Sequence, residues 1–221
     1  MTVPERPKIY HITHVENLPG IVSDGGLLSD ARMADRGGPQ VPIGLPHIKQ
    51  SRRMRRVKCR PADRVGDHVP FNFCPRSVML SVIWYANNPD LVYKLGQSMI
   101  VHLEADARTV IEWAEGSGGR WAISLQNARA GYSEFRCTAS GLCELDWSAI
   151  RSTDFRQAEV KERKQAEFLV HHEFPWELVE RIGVRTSAVR DRAADGIASA
   201  SHQPRVSIQP GWYFPEEGTR R

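Results

Sequence analysis

Lys164-Gln165-Ala166-Glu167-Phe168-Leu169-Val170 sets one carboxylate at the head of an apolar run, directly after the charged segment Glu159 to Gln165. Phe, Leu and Val in succession suit a buried strand from Ala166 to Val170, and the charged segment before it is helix-like. A glutamate beside them runs against strand propensity, and local inconsistency of that kind tends to mark a functional site. Working outward, Pro175 suits the first turn of a helix ending near Arg181. Val184 and Val206 to Ile208 read as short strands.

Toward the N-terminus, Lys8 to Ile12 is a short strand, followed by a helix from Val15 to Ser23 with apolar residues at helical spacing. Thr13 with Glu16 can cap that helix, Pro19 falls in its opening turns, and Gly25-Gly26 can end it. Asp35 to Gly44 is Gly- and Pro-rich and reads as a loop. His47 to Val57 predicts a basic surface helix with a thin buried stripe of Ile48, Met54 and Val57. Further strands are expected at Val69 to Phe73, Ser98 to Glu104 and Trp121 to Ser124. Helices are expected at Arg76 to Tyr85 and Asp106 to Ala114, with irregular chain at Asn127 to Glu134. Short strands interleaved with a few helices, without regular βαβ alternation, predict an α+β fold in one domain spanning residues 1–221.

The 221 residues are 41% hydrophobic and 25% charged, which excludes a disordered chain. No apolar stretch nears the roughly 18 residues of a membrane span, and Met1 to Arg6 has no secretory signal core. Cys59, Cys74, Cys137 and Cys143 form no C-x-x-C pair and are too few for a disulfide scaffold, so free thiols in a reducing cytoplasm are expected. Net charge is +4, unevenly spread. Lys49 to Arg64 holds eight basic residues against Asp63 alone, +7 in sixteen positions, which leaves −3 for the rest. That is the footprint of a polyanion partner, although a solvated helix face is the plainer alternative.

Metal chemistry has little support. No H-x-x-x-H or H-E-x-x-H occurs, and His171-His172, as strand neighbours, are expected to point to opposite faces. The triplets Glu159-Val160-Lys161 and Glu162-Arg163-Lys164 match a metal-nuclease pattern that is common by chance. No Gly-rich phosphate loop of the dinucleotide-binding or P-loop type is present.

Three separated segments carry the informative pattern: Tyr10-His11-Ile12-Thr13-His14, the basic stretch with Arg52-Arg53, and Lys164 to Val170. Histidine at a strand end can donate to a sugar hydroxyl, and a lone strand-borne carboxylate can stabilise a cationic centre. With Asn17-Leu18, Gly20-Ile21, Ile48 to Arg53, Asp67 to Leu80, Leu145-Asp146-Trp147, Phe174-Pro175-Trp176 and Gly211-Trp212-Tyr213, the chain resembles the DarT-type DNA ADP-ribosyltransferases, toxins of DarT–DarG toxin–antitoxin systems.

The resemblance implies a compact ADP-ribosyltransferase fold with two small sheets flanking an NAD cleft. It implies transfer of ADP-ribose from NAD to a nucleobase of single-stranded DNA, thymine first and guanine as competitor, without a metal. Glu167 would be the catalytic glutamate, and Arg53 would contact NAD and serve the reaction, as a base or as an electrostatic stabiliser. His11, Ile12, Thr13, Gly20 and Leu28 would line the cofactor site. Arg52, Arg55 and Arg56 would hold DNA phosphates, with Asn127, Ala128 and Tyr132 in the substrate region. The loop from about Gly37 to Arg53 would cover NAD, and the stretch from about Gly116 to Glu167 would present the base. A DarG-type macrodomain antitoxin, or another ADP-ribosyl-removing partner, is implied too. Asn72 stands where family members often have Tyr. Rival readings are a non-catalytic nucleic-acid-binding module, or transfer to RNA or protein, since a basic segment recognises phosphate and not the sugar.

Overall fold

In the computed structural model, residues 2–215 are described; Met1 and residues 216–221 lie outside them. The chain opens with β1 (Lys8–His14), α1 (Leu18–Ser23), β2 (Gly26–Leu28), α2 (Asp30–Asp35) and α3 (Pro46–Met54). There follow β3 (Arg56–Val57), β4 (Arg60–Arg64), β5 (His68–Asn72), α4 (Val78–Tyr85), β6 (Ile100–Asp106) and α5 (Ala107–Gly116). Next are β7 (Trp121–Asn127), β8 (Phe135–Arg136), α6 (Trp147–Arg151), α7 (Ala158–Lys164) and β9 (Ala166–His171). The last elements are β10 (Glu173–Pro175), β11 (Arg181–Val184), α8 (Ser187–Gly196) and β12 (Arg205–Ile208).

The expected α+β architecture is present. Eight strands pair in the order β12-β11-β6-β1-β5-β9-β7-β8, with two-stranded ribbons β10-β2 and β3-β4 beside them. The expected two small sheets are the halves of this one sheet. β1 pairs with β6 along all seven residues, from Lys8 opposite Asp106 to His14 opposite Ile100. With β5 it shares one register pair, Tyr10 opposite Asn72. A single ladder pair leaves the two four-stranded halves free to splay, and the seam between them is where a cleft can open. Each half is anchored by its own buried residues. β6 is buried along its whole length, while on the other half Trp121 stacks on Phe168 at 5.6 Å. Sealing one such aromatic side chain contributes roughly 1.5–3 kcal/mol.

Several local expectations are corrected. The helix start after β1 is capped by His14, whose Nδ1 accepts from the Glu16 amide; the Thr13 hydroxyl instead accepts from Asn17. Gly25 and Gly26 do end α1, with φ of +75° and +151°. A Cβ on Gly26 would lie 2.0 Å from the Phe174 carbonyl oxygen, because β2 and β10 pair closely there. The basic helix stops at Met54, which is 70% exposed, and Arg55 turns extended so that the chain can enter β3. Pro175 ends β10 and caps a single 3-10 turn, Trp176–Leu178, instead of opening a helix that runs to Arg181, where β11 begins. His172 leaves β9 with φ of +64°, so its ring folds back to 3.6 Å from that of His171 instead of facing the other way.

The thiols are not all free. Cys59, at the turn between β3 and β4, is bonded to Cys137, just past β8, leaving Cys74 and Cys143 as the free pair. The bond closes 78 residues of sequence and ties the basic hairpin to the edge of the sheet. No helix among the described residues is long and apolar enough to cross a membrane.

Closing a loop of this length stabilises by on the order of 2–4 kcal/mol. Complete reduction is therefore expected to lower Tm by about 5–10 °C in a thermal melt, with alkylation rising from two labelled cysteines to four; an unchanged melt would show that the tether is mechanically idle. A pH effect is expected from His68 and His102, both sealed in the interior and pushed down to about 4 by burial. Between about 6.5 and 4 the unfolded chain takes up protons that the folded chain refuses. Stability should thus fall as pH drops through that window, as read by denaturant midpoints, and the fall should be shallower in His68→Asn, whose amide can still reach the Arg64 carbonyl that accepts from His68 Nδ1.

Candidate active site

Glu167 is the second residue of β9, opposite Asn72 on one side and Ser124 on the other. Beyond Ser124 the β7 register breaks, and Asn127 is the next residue to pair, with Ala166. Bulges of this kind redirect groups near active sites, and this one aims the chain at the carboxylate. The Ala128 amide donates to Glu167 Oε1 at 3.3 Å, while the Ser124 hydroxyl accepts from the Glu167 amide at 3.1 Å and donates to the Gln126 carbonyl at 2.7 Å. The other carboxylate oxygen, Oε2, accepts from Arg52 Nη1 at 2.8 Å. Both side chains are almost sealed, 11% exposed for Glu167 and 8% for Arg52.

Arg52 comes from the last turn of α3, where Asp30, at the start of α2, lies 3.6 Å from its Nε and 3.3 Å from Lys49 Nζ. Burial works against the guanidinium charge, but Glu167 and then Asp30 outweigh it and raise its pKa above the ordinary value. Its Nε and Nη2 are nevertheless buried without a hydrogen-bond partner. Orphaned charged donors are costly unless something else satisfies them, and these belong to a side chain that lines a cavity of about 610 Å³.

His11 lines the same cavity at the seam. Its Nδ1–H donates to the Pro70 carbonyl at 2.8 Å, a side-chain bond across the gap where the β1–β5 ladder is missing. Burial depresses its pKa, so the ring is neutral and Nε2 is bare. That corrects the expected direction: this histidine can accept from a sugar hydroxyl rather than donate to it. Thr13, Ile12, Gly20 and Leu28 line the same cavity. The loop covering the cleft is fixed by Asn17, whose amide donates to the Val41 carbonyl at 2.9 Å and whose carbonyl accepts from the Val41 amide at 2.8 Å.

Arg53 is not brought into this arrangement. It is exposed and reaches only the Asp30 carbonyl oxygen, at 3.4 Å, outside the cavity. Consecutive residues on a helix are rotated by about 100°, and it is Arg52, expected on a DNA phosphate, that faces Glu167. Arg55 donates to the Gly131 carbonyl, so only Arg56 of that group is exposed, on β3. Much of the +7 segment serves the fold in the same way: Arg60 donates to the Trp121 carbonyl and Arg64 to that of Met54. Asn127 lines the cavity and donates to Gln165 Oε1 at 2.9 Å, Ala128 is fully buried beneath Glu167, and Tyr132 is 62% exposed away from the cavity. Asp30, Asn17, Gln165, Arg129 and Lys161 at the cleft were not foreseen. Gln165 lay in the deciding stretch, but nothing in the sequence points Asp30 toward Arg52. No cluster of three or more His, Cys, Asp or Glu side chains among the described residues could hold a metal ion.

The same overall architecture is found in solved DNA ADP-ribosyltransferases. A structure of Thermus sp. 2.9 DarT in complex with ADP-ribosylated ssDNA superposes with a TM-score of 0.86 at 33% identity, covering 97% of this chain and 99% of that one. The same protein in complex with NAD+ gives 0.79 at 31%, covering 96% and 100%. A Thermus aquaticus DNA ADP-ribosyl transferase is 36% identical over 216 residues, 97% of this chain and 92% of its own. Thermosipho africanus DarTG, in complex with ADP-ribose, shares the fold at 17% identity, TM-score 0.74, covering 94% of this chain and 51% of that one. The family described as ssDNA thymidine ADP-ribosyltransferase, DarT, matches residues 10–214, and the chain belongs to it.

Arg52→Gln is expected to lower the transfer rate about 10²–10³-fold, with Arg53→Gln within a few-fold of the parent, in single-turnover assays on folded protein. Equal losses in both would undo the assignment of Arg52.

Proposed function

We propose that this chain transfers ADP-ribose from NAD to a thymine base of single-stranded DNA, releasing nicotinamide. The observation carrying this reading is that His11 and Glu167, 156 positions apart in the sequence, line one cavity whose floor is the Glu167–Arg52 pair. The volume of about 610 Å³ falls within the range of cofactor sites, and the unpartnered Arg52 donors fit an anionic or carbonyl-rich ligand. Thymine is favoured over guanine because the family description specifies thymidine.

NAD, when bound, supplies the ribose carbon from which nicotinamide departs. Glu167, locked by Arg52 on one oxygen and the Ala128 amide on the other, presents a fixed negative charge that stabilises positive charge on the sugar. Being preorganised, it needs no reorientation as that charge develops. The bare Nε2 of His11 accepts from a ribose hydroxyl and so fixes the sugar against the seam. Arg52 acts by electrostatics: a guanidinium held charged by two carboxylates is no general base, so the acceptor base loses its N–H proton to water, Arg52 Nη2–H stabilises the negative charge left on it, and its nitrogen bonds the ribose carbon as the bond to nicotinamide breaks. Arg129 and Lys161, lining the cleft near Asn127, supply cations for the adjacent backbone phosphates. The remaining roles are a wall of Ile12, Thr13, Gly20 and Leu28 for the dinucleotide, with Asn127 at the acceptor side of the cleft, Ala128 acting only through its amide on Glu167, and outer phosphate contacts from the exposed Arg53 and Arg56.

The chain acts as one unit, a reading supported by β1 and β12, from opposite ends of the chain, sharing one sheet. DNA modification of this kind blocks replication, so a macrodomain-type antitoxin of the DarG class is the partner proposed. The cytoplasm, where NAD and DNA are found, is the compartment proposed, and there the Cys59–Cys137 bond would face a reducing pool.

Labelled NAD incubated separately with DNA, RNA and protein acceptors should mark single-stranded DNA alone, and thymine within a panel of defined oligonucleotides. Glu167→Gln should abolish labelling while preserving the melting transition and DNA binding; retained labelling in that variant would refute the role given to this carboxylate.

A further inference from the structure

The splay between β1 and β5 opens a second cavity, of about 500 Å³, that shares no lining residue with the cleft. Strand alternation turns Lys8 and Tyr10 into it and away from His11 and Thr13. Five cationic side chains line it, Arg6, Lys8, Arg76, Arg151 and Lys164, and no Asp or Glu does. Arg6 and Lys8 are already paired with Asp106 and Glu180. Arg76 and Lys164 are different. The Arg76 Nε is buried without a partner, and its guanidinium has no carboxylate within ion-pair reach among the described residues.

Lys164 is 2% exposed. Its ammonium donates to the Ile150 carbonyl at 2.7 Å, near the C-terminal end of α6, with the Cys74 thiol and the Phe155 ring beside it. The helix carbonyl explains why a cation is tolerated there, but it leaves the charge without a counter-ion. A buried ammonium and a part-buried guanidinium with an orphaned N–H, converging on one acid-free cavity, form a site with donors in excess of acceptors.

We propose that this second cavity binds a phosphate group. A tetrahedral anion offers several acceptor oxygens at once, which matches a guanidinium fork and an ammonium aimed from different walls. Two sources present that chemistry, a mononucleotide or a backbone phosphate of a single-stranded oligonucleotide, and the cavity has room for either headgroup. Lys164 closes α7 just before β9, so an occupied site would also brace the strand that carries Glu167.

The test is calorimetric titration of the full chain with inorganic phosphate, with 5′-AMP, and with a dT oligomer lacking terminal phosphates. Arg76→Gln, Arg52→Gln and the parent are compared. The expected result is binding to the parent that weakens about tenfold or more in Arg76→Gln and persists in Arg52→Gln. In the part of the binding that Arg76→Gln removes, AMP preferred over the oligomer identifies a mononucleotide site, and the reverse identifies a backbone site. Arg76 is part-exposed and unpartnered, so its replacement should leave the melting transition in place; should it not, Arg76→Lys, which keeps the charge but not the fork, must bind more weakly than the parent. Phosphate binding that is lost in Arg52→Gln but kept in Arg76→Gln belongs to the cleft and overturns the proposal. So does a parent that takes up no phosphate. Neither result bears on the NAD reading of the cleft.

Discussion

A carboxylate and a guanidinium, both nearly sealed from water, meet at 2.8 Å on the floor of the cleft. Each alone would be costly to bury, by several kcal/mol, and each is tolerated because the other is there. Losing one partner from a buried pair typically costs about 3–5 kcal/mol, so the site and the local fold are bound together. α3 must end where it does, β7 must bulge where it does, and Asp30 must stand behind Arg52 for the pair to close. The bond is also unfinished. Nε and Nη2 of Arg52 remain buried without hydrogen-bond partners, a deficit that a plain structural ion pair would not leave.

The weak seam in the sheet makes room for this chemistry. A fully laddered eight-stranded sheet would present a closed face, with backbone donors and acceptors all satisfied internally. Here one pair, Tyr10 opposite Asn72, holds two halves together, and side chains do part of the joining. The His11 ring bonds the Pro70 carbonyl across the gap, and this same bond fixes its tautomer. Joining the sheet and preparing the ring as an acceptor are therefore one act. Asn17 does similar double duty on the cover, imitating an antiparallel backbone pair with Val41.

The strands and the principal carboxylate were legible because their signals are local. Alternating or continuous apolar runs located β1, β5, β6 and β9, and the misfit of Glu167 within its run was itself a clue. The sequence points Arg53 at the cleft where the structure has Arg52, because a side chain's orientation depends on where its helix stops. Extending α3 to Val57 made Ile48, Met54 and Val57 the buried stripe, yet the helix ends at Met54, and Met54 is exposed. With the shorter helix, Ile48 and Arg52 fall one turn apart on the face that meets the cleft. The +7 segment misled in a related way. Charge counted along a sequence ignores the carbonyls it folds onto, and Arg55, Arg60 and Arg64 are spent on backbone oxygens. The Cys59–Cys137 bond and Asp30 behind Arg52 were illegible for a simpler reason, since both join segments far apart in sequence without any spacing to announce them.

The placement of unsatisfied donors distinguishes this fold from one optimised for stability alone. A core built for stability would exchange buried cations for apolar groups of similar volume, often at no cost. This chain keeps Arg52 beneath one cavity and Arg76 and Lys164 beside another, on either side of a seam held by one ladder pair. Cations left short of acceptors thus stand at two openings along the same weak line of the sheet, where missing ladder bonds and missing counter-charges coincide.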